Sequence, residues 1–383
     1  GLIPAKQVFS GLSNSTVVLF AGMFVVGAAM FYTGLAQAIG EKVVHIFGTG
    51  ENSLMLGLML VGTVLSSVLS NTGTCACLMP VALGICAASK NPASRQLLPM
   101  AYACGWGGII TLVGTPPNII GSGALTAAGL PGFSFFEFAW IGIPLSVAGI
   151  LYMLLIGKYL LPKAELDADQ EIEQEIEATT HDKKKQVISG VILLACVTVM
   201  ALNLKFISLE MTAIIGALVC VLTGCLTEKQ AYSSIDWVTI FLFAGMMPVS
   251  TAMDKTGAGK LIANWAVGLM GGEPTPLIVT IVLFSISCFL TQFMSNTASA
   301  ALLCPIGIAI AKQLNADPKA VVMAIAVAAS CAFATPVGTP PCTLVLGPGG
   351  YKFMDYVKCG TGLVLVCFVV SLIVIPMVWP FFP

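Results

Sequence analysis

Apolar runs long enough to cross ~30 Å of hydrocarbon follow one another along almost the whole chain, at 17–38, 140–161, 187–202, 211–225 and 361–379. A soluble fold has nowhere to bury so much apolar surface. The residues are 57% hydrophobic and only 9% charged, against about 25% charged in an ordinary soluble domain. In hydrocarbon each backbone N–H and C=O must find its partner inside the protein, so the runs predict an all-α polytopic membrane protein.

Charge then gives orientation. The one long charged stretch, 163–186, holds eight of the eighteen acidic residues and ends on Lys183-Lys184-Lys185, just before an apolar run. It is expected as a solvated linker over 162–186, between a first repeat at 1–161 and a second at 187–383. The lysines place it in the cytoplasm by the positive-inside rule, and the C-terminal Trp379-Pro380-Phe381-Phe382-Pro383, with no basic side chain, suits the opposite side. A net charge of −1 gives no sign of nucleic-acid binding. The thirteen cysteines lie scattered in apolar segments without a Cys-x-x-Cys pair, so they read as small buried apolar residues. His45 and His181 stand alone, and no triad, phosphate loop or metalloprotease pattern occurs. Nothing points to an enzyme.

The chain repeats itself. Leu19-Phe20-Ala21-Gly22-Met23 returns as Leu242-Phe243-Ala244-Gly245-Met246, and Thr33-Gly34 as Thr256-Gly257, both 223 positions on. Ser70-Asn71-Thr72 and Pro80 return 225 positions later at Ser295-Asn296-Thr297 and Pro305. Gly114-Thr115-Pro116-Pro117 returns at 224 as Gly338-Thr339-Pro340-Pro341, and Phe136-Glu137-Phe138 with Gly142 answers Met354-Asp355-Tyr356 with Gly360 at 218. Order is kept and the offset drifts little, which is a tandem duplication. Two apolar runs precede the second copy with no counterpart before the first, so an N-terminal helical pair is expected upstream. Transporter repeats are commonly inverted, with the site at their interface near the midplane. Inversion requires an odd number of crossings per repeat, met if 275–294 is re-entrant.

The doubled motifs are awkward residues for a membrane. The runs 54–69 and 275–294 carry Gly57, Gly62, Thr63, Ser66 and Ser67, and Ser285, Ser287 and Thr291. Such segments survive at membrane depth when packed in protein or lining a cavity. A hairpin ending at Ser-Asn-Thr would free carbonyls for a cation and offer the next helix's N–H groups to an anion. Paired prolines remove two N–H donors and break another ladder. One such motif alone is more simply a packing device, because Ser, Thr and Gly serve as interhelical contacts. Two copies, each followed by Gly-Thr-Pro-Pro in register, point instead to a two-part polar site in a secondary transporter. The spans hold hardly any ionisable residue of the kind proton-coupled carriers use. Hydroxyls, amides and carbonyls are hard oxygen ligands fit for Na⁺. Glu137 and Asp355 read as solvated carboxylates at helix starts.

Carried by these motifs, the chain resembles the divalent anion/sodium symporter family of di- and tricarboxylate and sulfate carriers over essentially its whole length. The resemblance implies two inverted repeats, each with a re-entrant helical hairpin and a broken helix, and a homodimer in the bilayer of the bacterial inner membrane. It also implies a scaffold carrying an elevator-type transport domain, with the first hairpin opening to the cytoplasm and the second to the outside. One Na⁺ site would fall on Ser66, Ser70, Asn71 and Gly114, the other on Thr291, Asn296 and Gly338 with the Met294 carbonyl. The substrate, a small anion, would meet Ser70, Asn71, Thr72, Thr115, Ser295, Asn296, Thr297 and Thr339. A C4-dicarboxylate such as succinate or malate leads. Sulfate or another oxyanion, a Na⁺/H⁺ antiporter, an arsenite extruder and a channel are the alternatives. One position departs from the family: Asn118 follows the first Pro-Pro, but Cys342 follows the second, so an amide contact there is lost or moved.

Overall fold

The computed structural model describes residues 3–4, 9–48, 50–162, 182–202, 207–269 and 274–381, and among them there is helix but no strand. The chain opens with α1 (Ser15–Tyr32), α2 (Leu35–Phe47), α3 (Glu51–Ser66), α4 (Asn71–Ser89), α5 (Leu97–Gly107), α6 (Pro116–Ala127) and α7 (Ala139–Tyr152). α7 runs on through a π-helical turn, Met153–Gly157, to Lys158–Leu160. Next come α8 (Lys183–Leu202), α9 (Leu209–Leu222) and the short α10 (Glu228–Ser233). Seven more follow: α11 (Trp237–Thr256), α12 (Ala258–Leu269), α13 (Pro276–Thr291), α14 (Asn296–Gln313), α15 (Pro318–Ala329), α16 (Pro340–Leu344) and α17 (Phe353–Val378). The sequence correspondences pair α1 with α11 and so on to α7 with α17, leaving α8–α10 unmatched.

Among the described residues five helices are long and apolar enough to cross a membrane: α1, α4, the continuous helix 139–160, α8 and α17. With the shorter apolar helices between them, this is an integral multi-pass membrane protein. Two sequence boundaries shift. The run 17–38 is not one helix: it breaks at Gly34, whose φ of 72° only glycine adopts without strain. Its counterpart Gly257, with φ 75°, parts α11 from α12 in the same way. The last span begins at Phe353, eight residues before the apolar run, because Asp355 in the first turn reaches back to accept from the N–H of the N-cap Lys352 there. Of the charged stretch, 163–181 lies outside the described residues, as does His181; Lys183 already opens α8.

Two contacts fix the direction of the matched helices. At one end of the α7–α17 pair the Tyr152 hydroxyl donates to the Cys359 carbonyl at 2.8 Å. At the other the Trp379 indole N–H donates to Glu137 Oε1 at 3.0 Å. The start of each helix therefore meets the end of its counterpart, and the two run antiparallel. The consecutive helices α3 and α4 have their base beside 158–162: Lys158 donates to Asn52 at 2.8 Å and Ser94 to the Pro162 carbonyl at 2.6 Å. The base of the α13–α14 pair lies at the opposite end, where Asp317 N–H donates to the Phe381 carbonyl at 2.6 Å. α5 and α15 form the buried heart between them, joined where Tyr102 donates to the Phe333 carbonyl at 2.9 Å.

Glu137 is not the solvated carboxylate expected of it. Its Oε1 pairs with Lys319 at 2.6 Å as well as with Trp379, and Oε2 accepts from the Ser134 N–H at 2.9 Å. The loop before α7, the start of α15 and the end of α17 are thereby clamped together. Asp355 does hold a helix start, accepting from the Lys352 N–H at 2.8 Å.

Candidate functional site

Neither Ser-Asn-Thr lies in an open loop; each begins a helix. Ser70 and Ser295 are the N-caps of α4 and α14, accepting from the Gly73 N–H at 3.0 Å and the Ala298 N–H at 3.2 Å. The asparagines occupy the first helical turn, where backbone N–H groups lack intrahelical partners. α3 and α13 stop four residues short of these helices, at Ser66 and Thr291. Both hydroxyls are fully buried. Each is aimed at the asparagine of its own turn and at one carbonyl of the central helix.

The two clusters match atom for atom. Ser66 Oγ lies 2.6 Å from Asn71 Oδ1 and 2.7 Å from the Cys104 carbonyl. Thr291 Oγ1 lies 2.7 Å from Asn296 Oδ1 and 2.6 Å from the Ala329 carbonyl. One hydroxyl proton cannot serve both acceptors. Turning the amide resolves this, since amide orientation is assigned from the surrounding network. With nitrogen inward Asn71 faces Ser66 Oγ at 2.6 Å and the carbonyls of Cys104 and Gly114, both at 3.1 Å. Asn296 likewise faces Thr291 Oγ1 at 2.7 Å, the Ala329 carbonyl at 3.0 Å and the Gly338 carbonyl at 3.1 Å. Each amide tip thus meets a hydroxyl and two carbonyls. Of the sequence-derived ligands, Ser66, Asn71 and Gly114 come together, as do Thr291, Asn296 and Gly338. Ser70 uses its hydroxyl as a cap, and the Met294 carbonyl is not among the oxygens facing Asn296. Cys104 and Ala329 were not expected, because a backbone carbonyl leaves no mark on residue type.

The glycines of Gly-Thr-Pro-Pro explain how the loops reach the clusters. A Cβ on Gly114 would lie 2.8 Å from the Ser67 carbonyl, and one on Gly338 2.7 Å from that of Thr291. Only a bare backbone fits so close. Thr111 hydroxyl donates to the Ser67 carbonyl, and its counterpart Thr335 donates to that of Gln292 at 2.6 Å, tying each loop to the end of α3 or α13.

All eight residues expected to meet substrate line one cavity of about 860 Å³: Ser70, Asn71, Thr72, Thr115, Ser295, Asn296, Thr297 and Thr339. The Thr115 hydroxyl is buried there without a hydrogen-bond partner, and the proline-started α6 leads away from it. The opposite wall is largely apolar, with Phe20, Phe24 and Phe31 of α1. Sequence reasoning missed Asp236, which also lines the cavity. Its carboxylate caps α11, accepting from Thr239 N–H at 3.1 Å and from its hydroxyl at 2.5 Å. No Lys, Arg or His is among the described lining residues. A negative ligand here meets helix N-termini, amides and hydroxyls, the groups that hold anions without a formal charge.

Comparison with known proteins places the chain among transporters. A family model described as "Citrate transporter" matches residues 1–259 and 199–382. An uncharacterized transporter of Haemophilus influenzae is 34% identical over 398 residues, covering 99% of this chain and 84% of the relative. The sodium-dependent dicarboxylate transporter SdcS of Staphylococcus saprophyticus is 25% identical over 414 residues, with 98% and 78% covered. Among solved structures, the Alcanivorax borkumensis YdaH transporter shares the fold at a TM-score of 0.74 and 13% identity, covering 98% of this chain and 90% of that one.

Proposed function

The chain belongs to the citrate transporter family, and from that premise we propose that it is a sodium-coupled symporter of small divalent anions, C4-dicarboxylates first. It is a transporter, not an enzyme. One observation carries the reading: two equivalent oxygen clusters, each centred on an asparagine amide, flank a single cavity whose described lining has no basic side chain. The sodium-dependent dicarboxylate transporter among its relatives favours the same ion and substrate class.

The two clusters are the sodium sites. Hard oxygen ligands suit a hard cation, and the protein supplies a hydroxyl, an amide oxygen and two carbonyls at each. With its nitrogen inward, each amide offers two N–H groups, which together with the proton that Ser66 or Thr291 gives to the Cys104 or Ala329 carbonyl satisfy the three oxygens. Turning Oδ1 inward replaces that donor with an acceptor, which is tolerable only with a cation among the oxygens. Sodium therefore fixes the asparagine's orientation and leaves the amide N–H to face the cavity. The substrate carboxylates are held by Ser70, Asn71, Thr72 and Thr115 on one side, and by Ser295, Asn296, Thr297 and Thr339 on the other. The bound cations supply the positive charge that no lysine or arginine offers, so anion binding waits on sodium. That ordering is the coupling.

Alternating access follows from pairing the two copies as inverted repeats. The antiparallel α7–α17 pair and the opposite positions of the two hairpin bases support that reading, as does the length of α3 and α13. At 16 residues each, these helices span about 24 Å, suited to re-entrant arms that stop at the cavity. Helices α3–α7 and α13–α17 form the transport body, and α1, α2 and α8–α12 the scaffold, with the body moving elevator-fashion in a homodimer of the bacterial inner membrane. The first hairpin opens towards the cytoplasmic linker and the second towards the outside. Labelled succinate uptake into liposomes, under an inward Na⁺ gradient and an equal K⁺ gradient, tests the reading. Uptake with Na⁺ alone, displaced by malate, is expected. Displacement by sulfate but not by malate would move the substrate to an oxyanion.

A further inference from the structure

The second Gly-Thr-Pro-Pro is followed by Cys342 where the first has Asn118, and the two loops are braced by different amides. In the first copy Asn118 is fully buried and reaches back under its own loop. Its Nδ2 donates to the carbonyls of Thr111 at 2.8 Å, Ile109 at 3.3 Å and Gly108 at 3.4 Å. That amide holds the stretch from α5 to Gly114, whose carbonyl faces Asn71. Cys342 offers no donor of comparable strength to the equivalent loop, and its own carbonyl accepts from Tyr356 at 2.6 Å.

The amide is supplied instead from the hairpin side. Gln292, one residue past the end of α13, is 8% exposed. Its Nε2 donates to the carbonyls of Cys331 and Cys288, both at 3.0 Å, and its Oε1 accepts from the Ala334 N–H at 3.0 Å. These partners leave no ambiguity in the amide's orientation. The backbone of the same residue joins in: Gly338 N–H donates to Thr335 Oγ1 at 3.2 Å, and Thr335 Oγ1 donates to the Gln292 carbonyl at 2.6 Å. At the matching position in the first copy stands Ser67, whose hydroxyl turns back to the Val64 carbonyl at 2.7 Å and braces nothing. Besides the asparagine of its oxygen cluster, each copy therefore has a further loop-bracing amide, placed after the Pro-Pro in the first and at the end of the hairpin helix in the second. Gln292 is not among the residues lining the cavity.

We propose that Gln292 is the positioning residue of the second cation site, holding the 331–338 loop so that the Ala329 and Gly338 carbonyls face Asn296, in place of the asparagine that does this in the first copy. This rests on the sodium-symporter reading above and adds to it a specific division of labour. Gln292 touches neither ion nor substrate. It sets where the carbonyl ligands stand, so its loss weakens sodium binding at one of two sites while leaving the anion groups in place.

The test uses the full chain in liposomes and in detergent, with Gln292→Met, which keeps the volume but not the hydrogen bonds, and the exchanged pair Gln292→Ser with Cys342→Asn. Gln292→Met is expected to raise the sodium concentration for half-maximal succinate uptake about tenfold or more, with the succinate KM at saturating sodium changed less than about threefold. The exchanged pair, which rebuilds the first copy's arrangement, is expected to return sodium activation to within about threefold of wild type. Hydrogen exchange at 331–338, measured without sodium, is expected to quicken in Gln292→Met and recover in the exchanged pair. Unchanged sodium activation in a folded Gln292→Met would overturn the proposal, and so would an exchanged pair that folds but rescues neither readout. If Gln292→Met fails to fold, the exchanged pair decides alone by the same two readouts, and its own failure to fold counts against the proposal. A wild-type protein with no sodium response defeats the symporter reading, whereas the exchange data still judge the brace.

Discussion

A hydroxyl, an amide and two carbonyls recur at each half of the site, and the residue scale is where this account is most exposed. Ser66 and Thr291 do the same task with different side chains, so the hydroxyl matters and the methyl does not. Thr291→Ser is accordingly expected to keep near-wild-type sodium activation. Thr291→Val, which removes a hydrogen-bonding group worth about 1.5–3 kcal/mol beside a charge, should raise the sodium requirement at least tenfold; sodium titrations of uptake measure both. Asn71→Ala and Asn296→Ala should each abolish coupled uptake while the protein elutes and melts as a folded species. Retained uptake in either one would contradict the assignment.

At the scale of elements, glycine decides how closely helices and loops approach. Gly22 in α1 meets α9 so tightly that a Cβ would lie 2.6 Å from the Ala213 backbone, whereas its sequence counterpart Gly245 has nothing within 4 Å. Gly22→Ala should therefore lower the thermal midpoint in detergent, at a cost of about 1–3 kcal/mol from overpacking. Gly245→Ala should leave it unchanged or slightly raised, since alanine favours helix by up to about 1 kcal/mol. Equal effects would mean that the two motifs are packed alike. Much of this level was legible in the chain: the repeat pairs α1 to α7 with α11 to α17 on offsets alone, and the paired motifs converge on one cavity. The break at Gly34 was not, because a hydropathy run records burial and not φ. The Cys104 and Ala329 carbonyls were equally hidden, since any residue carries one. The relocated amide at Gln292 was invisible for a different reason: it takes over for Asn118 from another element, which no alignment of the two copies can show.

For the molecule as a whole, one polar clamp joins the loop before α7, the start of α15 and the end of α17. Burial pushes the Glu137 carboxyl up, but the hydrogen bond from Lys319, the Ser134 N–H, the Trp379 indole and the lysine's charge outweigh it and leave the group below its ordinary range. A folded-state value lower than the unfolded one, about 4.3, gives stability that is fully present at neutral pH. It is lost as pH falls through the depressed value. Melting curves in detergent should show Glu137→Gln less stable than wild type near pH 7, with the two converging below about pH 4; a constant gap across that range would remove the clamp from the account. The claim above all others is that two asparagine-centred clusters bind sodium and thereby make an anion site. Its most direct measurement is the sodium activation curve of succinate uptake in liposomes at fixed membrane potential. The account predicts no uptake without sodium and a sigmoidal rise with a Hill coefficient above one, absent in both asparagine variants. Sodium-independent uptake, or a hyperbolic curve that survives the loss of either asparagine, would contradict it.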